Sequence, residues 1–148
     1  MRSKGFTLLE LLIVISIIAI LAAAIVPNFV GFDAEAKVST TLTNLNTLRT
    51  RVTLFRAKEN RYPETLEELI TTSYDDLGVR RPYLEKIPAE LISSKSGNAT
   101  VENKTSQDAL SGDGGWTYLK DRAQVVVDIT EPLASRWGPY AGQKPSEW

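Results

Sequence analysis

Lys4-Gly5-Phe6-Thr7-Leu8-Leu9-Glu10 leads into an apolar run that extends from Leu11 to Val26. A short leader carrying Arg2 and Lys4 thus meets a hydrophobic segment with one acidic residue, Glu10, in its first turn. A run of about 20 apolar residues can span the hydrocarbon core of a bilayer. A carboxylate inside such a segment is costly, about 2.5–3.5 kcal/mol on insertion scales for Asp at a helix centre and less near an end, so it calls for a partner.

Three readings of this stretch compete. As a cleaved secretory signal, it would use Arg2 and Lys4 as the basic region and Ala22-Ala23-Ala24 as the cleavage site. The run is longer than a signal core of roughly 7–15 residues, however, and Glu10 interrupts it. As an ordinary transmembrane anchor, it would place its N-terminus in the cytoplasm through the positive-inside bias. That explains the length and leaves Glu10 without a reason.

The third reading accounts for Glu10. Lys4 through Glu10 resembles the processing site of the type IV pilin family, which includes the pseudopilins of type II secretion, and the match runs from Gly5 to Pro27. The resemblance implies that an inner-membrane prepilin peptidase cuts after Gly5 and N-methylates Phe6, so the apolar run stays in the mature chain. It also implies that Glu10 pairs with the new amino terminus, at Phe6, of a neighbouring copy. Such a pair closes only on assembly and selects register, because a buried charge left alone is strongly unfavourable.

The rest of the chain supports a small head. With 148 residues in all, setting the apolar segment aside leaves room for one modest domain. Lys and Arg total 17 against 18 Asp and Glu, so the overall charge points to no nucleic-acid partner. Cysteine is absent, which removes a disulfide framework and a thiolate metal site while leaving an oxidising compartment open. Histidine is absent too. The commonest general base and transition-metal ligand are therefore missing, and the reading is of a protein that is not an enzyme.

Pro27 lacks an amide and crowds the preceding turn, so it predicts a kink. Beyond it Val30, Ala34, Val38, Leu42, Leu45, Leu48, Val52 and Phe55 recur every three or four residues, one stripe of an amphipathic helix. From Phe6 to Glu59 the helix would be roughly 80 Å long at 1.5 Å per residue. No head this small can bury that length, so lipid covers its first half before assembly and other copies cover it afterwards. Asn60 and Pro63 end the helix, and Thr65 with Glu68 has the form of a capping box for a short second helix. Thr71 to Asn98 reads as loop, with Tyr83-Leu84 and Ile87 as packing points. Strands are expected at Ala99–Glu102, Trp116–Leu119 and Gln124–Asp128, the last two joined by a turn over Lys120–Ala123. Gly114-Gly115 supplies a flexible approach to Trp116. The aromatics of the tail, Trp137, Tyr140 and Trp148, are expected to cover the sheet, the alternative being that they sit exposed as contact residues.

The expected fold is α+β. A long N-terminal α-helix, membrane-spanning in its first half, packs in its second half against a small C-terminal head with a short helix, loops and a small antiparallel β-sheet. The expected divisions are a leader at 1–5, a transmembrane and assembly helix at 6–27, the amphipathic second half at 28–60 and the head at 61–148.

No catalytic constellation is found. Asp75-Asp76 reads as a solvated loop, since adjacent side chains diverge. Gly112-Asp113-Gly114-Gly115 lacks the Lys-Ser/Thr of a phosphate loop. Asp108, Asp113 and Asp121 are of the right type to offer oxygen to Ca²⁺, as major pseudopilins often do in a C-terminal loop, but their spacing matches no calcium motif and no cofactor is assigned.

The resemblance implies a structural subunit stored in the bacterial inner membrane, single-pass with its head in the periplasm, then assembled into a periplasmic or cell-surface filament. Its partners would be copies of itself or other pilin-like subunits, the prepilin peptidase, an ATP-powered inner-membrane assembly machine, and lipid before assembly. The missing cysteines, Tyr62-Pro63 before a short helix and Gly114-Gly115-Trp116-Thr117-Tyr118 resemble pseudopilin heads and favour that role. The alternative is a type IV pilus subunit serving adhesion, motility or DNA uptake. A membrane-anchored periplasmic binding domain or enzyme is the reading from another class.

Overall fold

A computed structural model describes residues 6–25, 32–93 and 98–148. The chain divides into two compact units, one ending at Asp33 and one covering Ala34–Trp148. The expected leader with Gly5, the kink at Pro27, the stripe residue Val30 and the continuity of one long helix all fall wholly or partly outside the described residues.

Helix α1 covers Leu8–Ile25. Apart from Glu10 and Ser16 its side chains are apolar on every face, and those described are all exposed, from Val14 at 45 % to Leu8 at 82 % among the large ones. Such a surface belongs in a protein core or a membrane. Among the described residues no helix is long and apolar enough to cross a membrane. At 18 residues, α1 is about 27 Å long, just short of the ~30 Å hydrocarbon core.

Helix α2 covers Phe32–Glu59. Its buried positions are Val38, Thr41, Leu45, Leu48, Val52 and Phe55, spaced three and four apart as one face of a helix requires. Five of them are apolar members of the expected stripe. Thr41 joins them because its hydroxyl accepts the Leu91 amide at 3.1 Å, so a polar group is buried without being orphaned. Arg56 and Lys58 sit in the last turn, where the helix dipole favours cations. Asn60 then takes φ +58, the left-handed cap expected of it.

The short second helix forms later and by other means than expected. Helix α3 is Glu68–Thr71 and has no side-chain cap. The Glu68 carboxylate does not reach back to the Thr65 amide. It instead accepts from the Glu64 amide at 3.0 Å and, in a charge-assisted bond, from Arg61 at 2.9 Å.

Between Thr71 and Asn98, read as loop, the chain makes a hairpin. Strand β1 (Ser73–Asp76) pairs antiparallel with β2 (Val79–Pro82) in the register Ser73↔Pro82 to Asp76↔Val79. The turn is Leu77-Gly78 at φ +54 and +84, and the Gly78 amide donates to Asp75 Oδ1 at 2.9 Å.

The principal sheet has three strands in the order β3-β4-β5, with β3 at Val101–Lys104, β4 at Trp116–Leu119 and β5 at Gln124–Val127. β4 and β5 form the expected antiparallel hairpin, Trp116↔Val127 to Leu119↔Gln124. β3 lies two residues later than expected and joins in parallel, Val101↔Trp116 to Lys104↔Leu119, so the sheet is mixed. Trp116, Tyr118, Val125 and Val127 pack with Leu45, Leu48, Val52 and Phe55 of α2 into one core, with Leu66, Leu69 and Tyr83. Buried aromatics keep their polar ends satisfied: Trp116 Nε1 donates to Pro88 O at 2.7 Å and the Tyr118 hydroxyl to Pro63 O at 2.9 Å.

A second cluster, Val38, Ile92, Leu133 and Trp137, lies towards the start of α2. Trp137 is buried, while Tyr140 and Trp148 are partly so and pack against the same cluster. Arg49 fastens the tail: it donates to Val125 O at 3.1 Å and to Trp148 O at 2.5 Å. The α+β class of the sequence reading thus holds, with α2 laid on a small sheet-bearing head.

Candidate assembly site

At the head of α1, Thr7 and Glu10 form a reciprocal capping box. The Thr7 amide and hydroxyl each donate to Glu10 Oε2 at 2.9 Å, and the Glu10 amide donates to Thr7 Oγ1 at 3.2 Å. Thr7 is the residue before the first helical position, where Ser or Thr followed three residues later by Glu satisfies free amides. The sequence carries the Thr-x-x-Glu pattern of such a box at Thr7 and Glu10, a role for Glu10 beside that of a charge awaiting another chain. The structure adds that Glu10 has partners within its own chain, which lowers the cost of holding it in an apolar segment. Phe6, next to this box, is 75 % exposed.

The acidic residues of the head are engaged locally. Asp108 accepts from the Thr105 amide and hydroxyl at 2.7 and 2.8 Å, and those bonds hold its carboxyl below the ordinary range. Asp121 accepts from the Ser106 hydroxyl and, at 2.7 Å, from its amide, with the same effect. Asp113 O accepts from Asn98 Nδ2 at 3.5 Å. The three aspartates are not gathered: among the described residues no group of three or more acidic side chains is placed to hold a metal ion. Asp75 and Asp76 belong to the hairpin, Asp76 lying 3.5 Å from Arg81.

One buried acid escaped the sequence reading. Glu90 is fully buried, and its carboxylate accepts the amides of Ile92, of Ser93 at 2.8 Å and of Gly115 at 3.4 Å. It ties the loop before residue 93 to the Gly114-Gly115 turn. That turn is a close fit, not a flexible approach. Gly115 has φ +85, and a Cβ there would lie 2.5 Å from Thr100 O. Only the spacing of these groups in three dimensions reveals such a role, since nothing local marks Glu90 in the sequence.

A capped acid heading an all-apolar helix, with a second helix that seats a small sheet, defines a subunit whose first helix needs cover from outside its own fold. Residues 1–26 match the prokaryotic N-terminal methylation motif. The chain is 46 % identical to the type IV major pilin protein PilA of Myxococcus xanthus, over 98 % of this chain and 67 % of that protein. It is 36 % identical to the type II secretion system core protein G of Pectobacterium carotovorum, over 47 % of each, and 32 % identical to that of Aeromonas hydrophila, over 60 % of this chain and 67 % of that protein. No solved structure matches. The chain belongs to the type IV pilin-like family. It is a structural, filament-type subunit and not an enzyme.

Proposed function

We propose that the chain is a shaft subunit of a type IV pilus, cut after Gly5, N-methylated at Phe6 and assembled through α1. The observation that carries the pilus reading is the likeness to the Myxococcus major pilin along 98 % of the chain. The pseudopilin role expected from the sequence is the second reading, supported by the protein G relatives and by Gly114-Gly115-Trp116-Thr117-Tyr118.

Before assembly the apolar segment through Val26 sits in the inner membrane with the head in the periplasm; afterwards copies of α1 cover one another. The exchange is roughly neutral hydrophobically, since lipid tails are as apolar as leucine. An ATP-powered machine would drive extraction, and Glu10 would exchange its Thr7 donors for the Phe6 amine of a neighbour.

Mass spectrometry of the mature N-terminus tests the processing step: a chain starting at N-methylated Phe6 is expected, and one starting at Met1 or after Ala24 would overturn it. Glu10→Ala is expected to be processed and membrane-inserted but to give no filaments by electron microscopy. Normal filaments from that variant would refute the pairing. Deleting the gene and measuring surface pili against secreted protein separates the two roles, with loss of pili and intact secretion expected.

A further inference from the structure

Leu77 is anomalous twice over. It is 99 % exposed, and it takes φ +54 at the first position of a two-residue hairpin turn, where Asn or Gly is the residue the backbone favours. A bulky residue held in a left-handed conformation is a pointer to function. Val79, on the far side of Gly78, is 51 % exposed, so the tip carries two exposed apolar side chains, a knob. Arg80 stands behind it; among the described residues it forms no ion pair, whereas Arg81 lies 3.5 Å from Asp76.

The head also carries a matching hole. A cavity of about 280 Å³ is floored by Ile92, Leu133 and Trp137, all at least nine-tenths buried, with Ala134 on its wall and Glu131 and Arg136 among its lining residues. It is just below the roughly 300–1,000 Å³ of small-molecule sites, a size that suits a side chain. The Arg136 guanidinium lies over the Trp137 ring, 5.4 Å from its centroid, and among the described residues Glu131 has no ion-pair partner.

Knob and hole lie at opposite ends of one helix axis. The hairpin stacks through Tyr74 on Tyr83, and Tyr83 on Phe55, near the end of α2. The cavity floor packs with Val38, near its start, about 25 Å away along the helix.

We propose that the hairpin tip of one copy, Leu77 with Val79, inserts into the cavity beside Trp137 of a second copy, with Arg80 meeting Glu131. This rests on the reading of the chain as a filament subunit. A contact between two different patches of the same chain, set apart along one axis, is heterologous, and such contacts propagate into open helical filaments.

The chain has no cysteine, so an introduced pair reports cleanly. Leu77→Cys with Ala134→Cys in the full chain, assembled, sheared and oxidised, is expected to give a ladder of disulfide-linked multimers on a non-reducing gel, and neither single variant is. Leu77→Asn suits the left-handed turn, so it is expected to keep or raise the melting temperature of the monomer in detergent micelles while lowering filament yield about tenfold, as loss of an interface anchor does. Filaments at full yield from Leu77→Asn with no ladder from the double variant overturn the docking and leave the filament reading standing. No filaments from the unsubstituted chain would undo the filament reading and the docking with it. A Leu77→Cys adduct to a different protein, in place of the ladder, overturns the second copy as occupant.

Discussion

Thr117 illustrates how one side chain can be stable in place and still suboptimal. It sits fully buried on β4, and among the described residues its hydroxyl has no hydrogen-bond partner. A buried polar group left unpaired costs roughly 1–3 kcal/mol, so Thr117→Val is expected to raise stability by about 1 kcal/mol in urea denaturation, a β-branched residue being kept on the strand. Its neighbour titrates at the alkaline end. Burial, reinforced by Glu64 and Glu68, pushes the Tyr118 hydroxyl up to about 12, from roughly 10 in an unfolded chain. The folded state therefore favours the neutral phenol. That contribution is fully present below pH ~10 and is lost as the pH rises through the folded value, because the unfolded chain gives up its proton first. Denaturation midpoints should fall over that window, and Tyr118→Phe should flatten the fall. The sequence places both residues in a strand and in the Gly114-Gly115-Trp116-Thr117-Tyr118 resemblance but does not show the buried state of either, since burial and missing partners are properties of packing.

Among the elements, α2 was the most legible. Its period of three and four named five of its six buried positions, and the sixth, Thr41, hides its role in a bond to Leu91, 50 positions away. Phe55 is fully buried where α2 meets Tyr83. Phe55→Ala is expected to cost about 3–5 kcal/mol, read as a lowered urea midpoint with the slope unchanged. The hairpin of β1 and β2 was illegible for a physical reason. Its residues are half-exposed or exposed, so no alternation of apolar and polar residues announces it, and its turn uses leucine where the recognisable residue is asparagine. β3 is Val101-Glu102-Asn103-Lys104, mostly residue types that strands disfavour, and its pairing direction depends on where the loop of residues 105–115 delivers the chain, which alternation does not encode.

For the molecule as a whole, the part that decides its class lay at the N-terminus, where Gly5 to Glu10 could be read residue by residue. What could not be read was how the head answers the helix: Glu90 anchoring the Gly114-Gly115 turn and Arg49 clasping the tail both join segments far apart in the chain. The polar groups of α1 carry a last consequence. Its described side chains are all exposed, and the hydroxyl of Ser16 is spent on Leu12 O at 2.7 Å within the same helix. To a neighbouring copy α1 would offer hydrocarbon and, at Glu10, one charge. Sliding one such rod past another by a turn would trade one apolar side chain for another, so no polar contact beyond Glu10 would mark an axial stop along the rods. Along the rods, the pitch of a fibre built this way would be marked by a single carboxylate per subunit, with any further stop left to the heads.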